Sequence, residues 1–260
     1  MNSVSTLIGQ LETAETSHDV WQHFLNFIEE RGFKCATYGY SYAPINSEVK
    51  TENGKDSHVR VSLASRTWIT SMPKEGVEEY KNRRYEKVDP MIHQIENRSM
   101  QPLYMARELL DPKDPNFQGF DFILQRAEHY GIFSAVGFPM SHPFGRGHGE
   151  VTLHCEHRID KLKQIMQMHG DEVHLASIYM HTFFQPLERR ERAASVGIKG
   201  RPLEVLRQLN AGLTNGQIAE RLGVSAPTVS FHIKELKDAL EVTSTREILP
   251  SALKLGILED

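Results

Sequence analysis

The chain has 260 residues, of which 39% are hydrophobic and 25% are charged, so it can form a packed core and is not globally disordered. Its formal net charge of −4 excludes a uniformly basic surface, so any contact with DNA must come from a local arrangement of charge. Two cysteines are too few for a disulfide framework. Because the sequence shows no secretion signal and no membrane-spanning apolar segment, we expect a cytoplasmic protein without a membrane partner.

The first part of the chain alternates helical and strand-like patterns. Apolar residues recur at helical spacing over 5–31, and Gly32 is a natural stop. The aromatic-rich stretch 33–43 and the stretch 58–65 favour strands on either side of a polar loop over 44–57. A helix is then predicted from Glu75 towards Pro90.

The next segments complete a predicted sheet with helices around it. A helix closed by Gly131 precedes two strand-like stretches, 132–142 and 149–157, and a long helix follows over 159–184. Helices that flank a small antiparallel sheet predict an α+β domain of the α/β/α sandwich type. We expect a set of aromatic side chains to belong mainly to its core: Tyr38, Tyr40, Tyr42, Phe122, Phe133 and Phe138.

The composition changes near residue 185. The segment 185–202 is charged, poor in large apolar residues and bounded by Pro186 and Pro202. We interpret 185–197 as a linker between a first domain over 1–184 and an all-α domain over 198–260. The second domain divides into four predicted helices, at about 202–211, 215–222, after Ser225, and 245–256.

The sharp corner between the second and third of these helices is typical of a helix-turn-helix. Thr214 and Ser225 are suitable N-caps, Gly223 permits a left-handed turn, and Pro227 fits the first helical turn. A plain helical hairpin used for packing remains the alternative. The exposed polar end of the third helix favours DNA binding instead, with base contacts from Ser230, Phe231 and Lys234 and phosphate contacts from Thr214, Asn215, Thr228, His232 and Lys237.

The charge of this domain implies weak attraction to phosphate for a single copy. From Ile198 to Asp260 the chain carries eight Lys or Arg residues and eight Asp or Glu residues. Two copies that bind two half-sites would compensate, so we predict a homodimer on double-stranded DNA. The helix over 159–184 is the predicted dimer surface.

The C-terminal part of the chain resembles the DNA-binding domain of LuxR-type quorum-sensing regulators. The likeness extends over about 55 residues and includes "GLTNGQIAERLGVSAPTVSFHIKELKDAL" and "LKLGIL". A glutamate is usual near the start of the first helix of that domain, and Pro202 stands in its place here. This departure affects helix capping more than base recognition. The resemblance implies transcription regulation, activation by default, with RNA polymerase as a candidate partner and no cofactor.

A weaker resemblance extends to the autoinducer-binding domain of the same family. In "YKNRRYEKVDP", Tyr80 and Asp89 match the family's tyrosine and aspartate by spacing, and Thr152 matches a hydroxyl position. The resemblance implies that Tyr80 donates to the acyl carbonyl of an N-acyl homoserine lactone and that Asp89 accepts from its amide N–H. It also implies that Thr152 touches the ligand near that amide.

Three residues depart from the family's pattern. Gly76 stands where a tryptophan binds the lactone carbonyl, Tyr104 stands at a second tryptophan position, and Ala135 replaces a glycine. We keep Tyr104 as a candidate ligand contact. A lost indole donor leaves a buried carbonyl unpaired, at a cost of about 1–3 kcal/mol. The pattern therefore leaves open a standard lactone, a related ligand, or no ligand.

Two simpler interpretations of the first domain remain open. The Tyr80 and Asp89 pair is also compatible with an ordinary interior hydrogen bond, and the first domain with a protein-interaction module that needs no small molecule. His154, Cys155 and His157 are metal-capable, but neighbouring strand residues point to opposite faces, so we predict no metal site. We predict no enzyme, because no convergent acid, base and nucleophile are recognisable.

Overall fold

The computed structural model describes residues 3–41, 66–85, 89, 101–140 and 148–258. Contacts divide the chain into two compact units, Met1–Phe184 and Gln185–Asp260. Within the described ranges, no helix is both long and apolar enough to cross a bilayer.

A five-stranded antiparallel sheet forms the centre of the first unit, in the order β2-β1-β5-β4-β3. The strands are β1 (Cys35–Ser41), β2 (Arg66–Thr70), β3 (Leu103–Met105), β4 (Ser134–Pro139) and β5 (His148–Cys155). The predicted strands that overlap β1, β4 and β5 are confirmed. The predicted strand 58–65, the loop 44–57 and the residues from Pro90 to 100 lie outside the described part, and β2 was not predicted.

One face of the sheet is apolar and packs against helices. Val151 and Leu153 are fully buried, as alternation along β5 requires for one face. The helices that accompany this face are α1 (Val4–Glu12), α2 (Ser17–Glu29) and α5 (Ile159–Ser195). The Tyr38 ring meets Phe184 of α5 edge-on at 5.2 Å between centroids, and Phe138 stacks on His174 at 4.7 Å. These contacts fix α5 against β1 and β4.

The opposite face carries α3 (Lys74–Arg83) and α4 (Phe117–His129). Leu124 of α4 packs against Met105 and Ala135 of the sheet. The first unit is therefore the expected α/β/α sandwich. The prediction that Phe122 belongs to the core is wrong, because its side chain is 44% exposed, although its ring meets Tyr85 in an edge-on contact with centroids 5.5 Å apart.

The charged segment after Phe184 differs from the predicted linker. Residues 185–195 are helical and belong to α5. Glu188 is fully buried and accepts a hydrogen bond from Arg192 at 2.5 Å, and Ala193 belongs to the core of the second unit. A composition rich in charge suggested a solvated connector, but pairing of opposite charges four residues apart allows the segment to pack as a helix.

The second unit has four further helices, which confirms the predicted all-α domain: α6 (Arg201–Asn210), α7 (Asn215–Leu222), α8 (Ala226–Ala239) and α9 (Thr245–Lys254). Pro202 lies in the first turn of α6, where its missing N–H has no helical partner to lose. Val229, Ile233 and Leu236 of α8 enter a core shared with α6, α7 and α9. Their spacing of four and three residues places them on one side of α8.

Candidate ligand and DNA-binding sites

One face of β5 is polar although it is buried. Glu150, Thr152 and His154 are each less than 10% exposed. His154 Nε2 lies 2.9 Å from the Thr37 hydroxyl of β1, which in turn lies 2.9 Å from the Thr70 hydroxyl of β2. Burial lowers the pKa of His154 to about 4, so the imidazole is neutral at pH 7. This chain of hydrogen bonds holds three strands together below the site.

Tyr80 and Asp89, the motif pair, are in contact. The Tyr80 hydroxyl donates to Asp89 Oδ2 at 2.7 Å. Burial raises the pKa of the Glu150 carboxyl well above its ordinary value, and the negative charge of nearby Asp89 raises it further. Thr152 donates to Glu150 Oε1 at 3.2 Å. The fold therefore brings three of the four predicted ligand residues together around a carboxyl that sequence analysis did not select.

Trp68 is a second residue of this region that sequence analysis missed. Its ring stacks on Tyr80, with centroids 6.0 Å apart and planes 22° from parallel. The strand register pairs Trp68 with Gly39 and Gly39 with Glu150, so all three positions share one face of the sheet. The available signal was rarity, since the chain has two tryptophans and Trp68 lies in an alternating stretch.

At Gly76, where the family has a tryptophan, the ring of Tyr130 lies close to the backbone. A Cβ at Gly76 would lie 3.0 Å from Cδ2 of Tyr130, so the Tyr130 ring occupies the space beside α3. The Tyr130 hydroxyl donates to Glu79 at 2.8 Å, and Arg126 donates to the same carboxylate at 2.6 Å. The pKa of Glu79 is lowered to about 2, mainly by the hydrogen bond from Arg126 and then by those from Tyr130 and Tyr85. A hydrogen-bonded clamp between α3 and α4 therefore fills this position.

Tyr104 is not brought together with the other three candidates. Its position on β3 pairs with Val136 of β4, and Val136 pairs with Leu153 of β5. Leu153 and Thr152 are neighbours on a strand, so their side chains lie on opposite faces. The register therefore separates Tyr104 from Thr152, and its proposed contact with ligand has no support from the sheet.

The metal-capable residues of β5 form no cluster. Among the residues that the structure describes, no three His, Cys, Asp or Glu side chains are arranged to hold a metal ion. Burial raises the pKa of both Cys35 and Cys155, which keeps these thiols protonated.

The helix-turn-helix is built from local signals. Thr214 caps α7 in a reciprocal box with Gln217, whose side chain accepts from the Thr214 N–H at 2.9 Å. Gly223 ends α7 in the left-handed conformation at φ +64°. Ser225 then caps α8 by accepting from the Thr228 N–H at 3.2 Å. These caps fix the angle at which α8 leaves the turn.

The outer side of α8 carries the predicted base contacts. Ser230, Phe231 and Lys234 are exposed, and Phe231 is 58% exposed although it is a large apolar side chain. Asn215 is also exposed, while Thr228, His232 and Lys237 are half-buried. His232 Nδ1 lies 2.7 Å from Glu235, so this imidazole already has a partner within its own helix.

The sequence profile of the autoinducer binding domain family matches residues 16–184, and that of the bacterial regulatory proteins of the luxR family matches residues 200–252. The chain belongs to the LuxR family of regulators.

Relatives and solved structures agree with this family. The LuxR-family chain is 26% identical over 197 residues to the transcriptional activator protein ExpR of Dickeya dadantii, which covers 73% of this chain and 76% of ExpR. It is 26% identical over 200 residues to the transcriptional activator protein EchR of Dickeya chrysanthemi, with the same coverage. Both named relatives are transcription regulators rather than enzymes.

Two structures share the fold at low identity. Escherichia coli SdiA superposes with a TM-score of 0.53 at 19% identity and covers 98% of each chain. CepR2 from Burkholderia cenocepacia has a TM-score of 0.52 at 15% identity, over 71% of this chain and 94% of its own.

Proposed function

We propose that the chain is a transcription activator that binds a medium-chain acyl signal, an N-acyl homoserine lactone or a related compound, on the polar face of its sheet. The observation that carries this proposal is the 2.7 Å hydrogen bond between Tyr80 and Asp89 beside Glu150 and Thr152 of β5. Residues distant in sequence meet there in the pattern that the family uses for an acyl amide. A ligand that binds the folded, DNA-competent state would increase its population.

The residues favour a relaxed requirement for the lactone ring. Gly76 cannot supply the indole donor, and the Tyr130 ring fills the adjacent space. The structural neighbour SdiA has been solved with octanoyl-rac-glycerol, which has an acyl chain and no lactone, whereas CepR2 is described as N-acylhomoserine lactone dependent. The acyl carbonyl is the polar group that these two ligand classes have in common, so we propose it as the common point of recognition.

Ligand binding is tested by native mass spectrometry of the full chain purified from its own host, followed by thermal unfolding with added N-octanoyl homoserine lactone or octanoylglycerol. Saturation at about 100 times Kd stabilises a protein by about 2.7 kcal/mol, so a clear rise in Tm is expected. Asp89→Ala should abolish that rise, whereas Glu75→Ala, at an exposed position of α3, should retain it. No retained molecule and no rise with either compound would favour a protein-interaction module.

DNA recognition is assigned to α8. On its outer side, the Lys234 ammonium suits a hydrogen-bond acceptor on a base, and the Ser230 hydroxyl suits either a donor or an acceptor on a base edge. The apolar ring of Phe231 suits the methyl group of thymine. Thr214, Asn215, Thr228, His232 and Lys237 surround this side and are assigned to phosphate, with Thr214 and Thr228 also serving the caps. His232 would have to leave Glu235 for that role.

The DNA assignment is tested on an operator selected from random duplexes at one fixed salt concentration. Lys234→Ala should weaken binding about tenfold and relax preference at one base position, because a base contact contributes about 1–3 kcal/mol. Lys254→Ala on α9 removes the same charge and should leave base preference unchanged. Equal effects of the two substitutions on preference would remove Lys234 from base recognition.

Dimerisation is assigned to α5. Met168, Leu175 and Ile178 are apolar and are 63%, 43% and 43% exposed, and their spacing of seven and three residues aligns them along the helix. A second copy of the chain would cover this stripe. Ile178→Glu should therefore shift the full chain towards monomer in sedimentation equilibrium, while Leu109→Glu, at an equally exposed apolar position outside α5, should not.

A further inference from the structure

The second unit contains a cavity of about 260 Å³ that none of the roles assigned above uses. Three segments form its walls: the end of α5, the helix α6 and the stretch that follows α9. On α6, the lining residues Leu203, Arg207 and Asn210 follow one another at spacings of four and three residues, so they share one face of that helix. A molecule bound here would contact three parts of the DNA-binding unit at once.

Part of the lining is basic. Arg189 and Arg190 of α5 and Arg207 of α6 line the cavity, together with the carboxamide of Asn210. Among the described residues, no Asp or Glu lines it, and Glu191, which follows Arg190 directly, is not one of the lining residues. Three guanidinium groups around one cavity repel one another, so an anion bound between them is favoured.

Two acidic side chains close in sequence to these arginines are bound by other arginines. Glu188 is fully buried and accepts a hydrogen bond from Arg192 at 2.5 Å. Glu204 accepts a hydrogen bond from Arg201 at 2.6 Å. Arg207 is exposed and forms no ion pair with any residue that the structure describes. Its guanidinium is therefore available to a negatively charged ligand.

The rest of the lining is largely apolar. Leu203, Ile257 and Leu258 belong to it and are 8%, 4% and 5% exposed. Guanidinium groups match the oxygen geometry of phosphate with paired hydrogen bonds, and they also lie flat against aromatic rings. This combination suits a small molecule with a phosphate group and an apolar or aromatic body, whereas a volume of about 260 Å³ is too small for a helix of a partner protein.

We propose that this cavity binds a small phosphate ester with an apolar or aromatic body. The phosphate oxygens accept hydrogen bonds from Arg207, Arg189 and Arg190, and the Asn210 amide offers further donors. The body of the ester packs against Leu203 and the residues that follow α9. The bound ester joins the end of α5 to α6 and thereby stabilises the second unit. This site is independent of the acyl signal assigned to the sheet, so a failure of either proposal leaves the other intact.

The test is titration calorimetry of the full chain with phenyl phosphate, inorganic phosphate and benzyl alcohol at one pH and one ionic strength. Phenyl phosphate should bind about tenfold more tightly than inorganic phosphate, because burial of about 55 Å² of its ring provides that ratio. Benzyl alcohol lacks the anion and should not bind. Arg207→Gln should weaken binding of phenyl phosphate about tenfold, as expected for loss of a charge-assisted hydrogen bond. Arg246→Gln, at an exposed position of α9, removes the same charge and should leave the affinity unchanged.

The unfolding of the second unit provides an independent readout. Phenyl phosphate should raise the midpoint of its circular dichroism transition in the wild type and in Arg246→Gln, but much less in Arg207→Gln. Absence of binding to the wild type, or equal weakening by the two substitutions, would show that the cavity is not a specific site and would overturn the proposal. If Arg207→Gln lowers operator affinity without phenyl phosphate present, whereas Arg246→Gln does not, the arginines bind the DNA backbone and the proposal is wrong.

Discussion

In the helix-turn-helix, the side chains that begin each helix bond to backbone groups three residues away, whereas on the polar face of the sheet His154 and Thr37 are partners across 117 residues. The helical unit can therefore be specified segment by segment. The polar face of the sheet exists only when its strands have found their register. Substitution of a cap in the helical unit should therefore cause a local and moderate loss of stability. The loss caused by a substitution on the sheet should depend on the burial and charge of the residue.

The largest expected effect concerns the core of the helical unit. Ile233→Ala removes a side chain that is 6% exposed, and truncation of this kind costs about 2–5 kcal/mol. Both tryptophans, Trp21 and Trp68, lie in the first unit, so their fluorescence reports that unit alone. In urea, the circular dichroism transition of the helical unit should shift while the fluorescence transition stays in place. A matching shift in fluorescence would show that the two units unfold together.

A smaller effect is expected from acid on the sheet. The pKa of His154 is lowered to about 4 in the fold, so the unfolded chain binds the proton more readily. The neutral imidazole of His154 therefore makes its full contribution to the stability of the fold above about pH 6.5, and this contribution is lost as the pH falls towards 4. Between pH 7 and 5, the wild-type free energy of unfolding should fall by about 2 kcal/mol relative to His154→Gln. Parallel curves for the two proteins would exclude His154 as the titrating group.

The smallest effect is expected at a helix cap. Thr214→Ala removes the side chain that accepts from the Gln217 N–H and should destabilise the helical unit by about 1 kcal/mol. Thr214→Ser should restore most of this stability, and Thr245→Ala, in the first turn of α9, provides the matched control. Measured circular dichroism midpoints that are equal for Thr214→Ala and Thr245→Ala would contradict a capping role.

The helical unit was predictable because its signals are short-range. Thr214, Gly223 and Ser225 each act within a few residues, and the apolar spacing of Val229, Ile233 and Leu236 identifies the buried side of α8 directly. The helical continuation over 185–195 was missed because composition does not show that Glu188 and Arg192 neutralise each other in a packed helix.

The candidate ligand site on the sheet was predictable only in part. The spacing of Tyr80 and Asp89 within one motif identified that pair, and their contact is present. Glu150 and Trp68 could not be assigned to the site, because their shared face depends on a register between β2, β1 and β5 that no local pattern encodes. The same dependence on register explains why Tyr104, chosen by resemblance, lies on the other face.

The packing of Tyr130 against Gly76 also limits which side chains position 76 can hold. A tryptophan there would force the aromatic ring of Tyr130 out of its place and disturb the hydrogen bonds that Tyr130 and Arg126 make to Glu79. An indole can therefore enter this position only together with a smaller side chain at position 130, so engineering a tryptophan here requires two simultaneous substitutions.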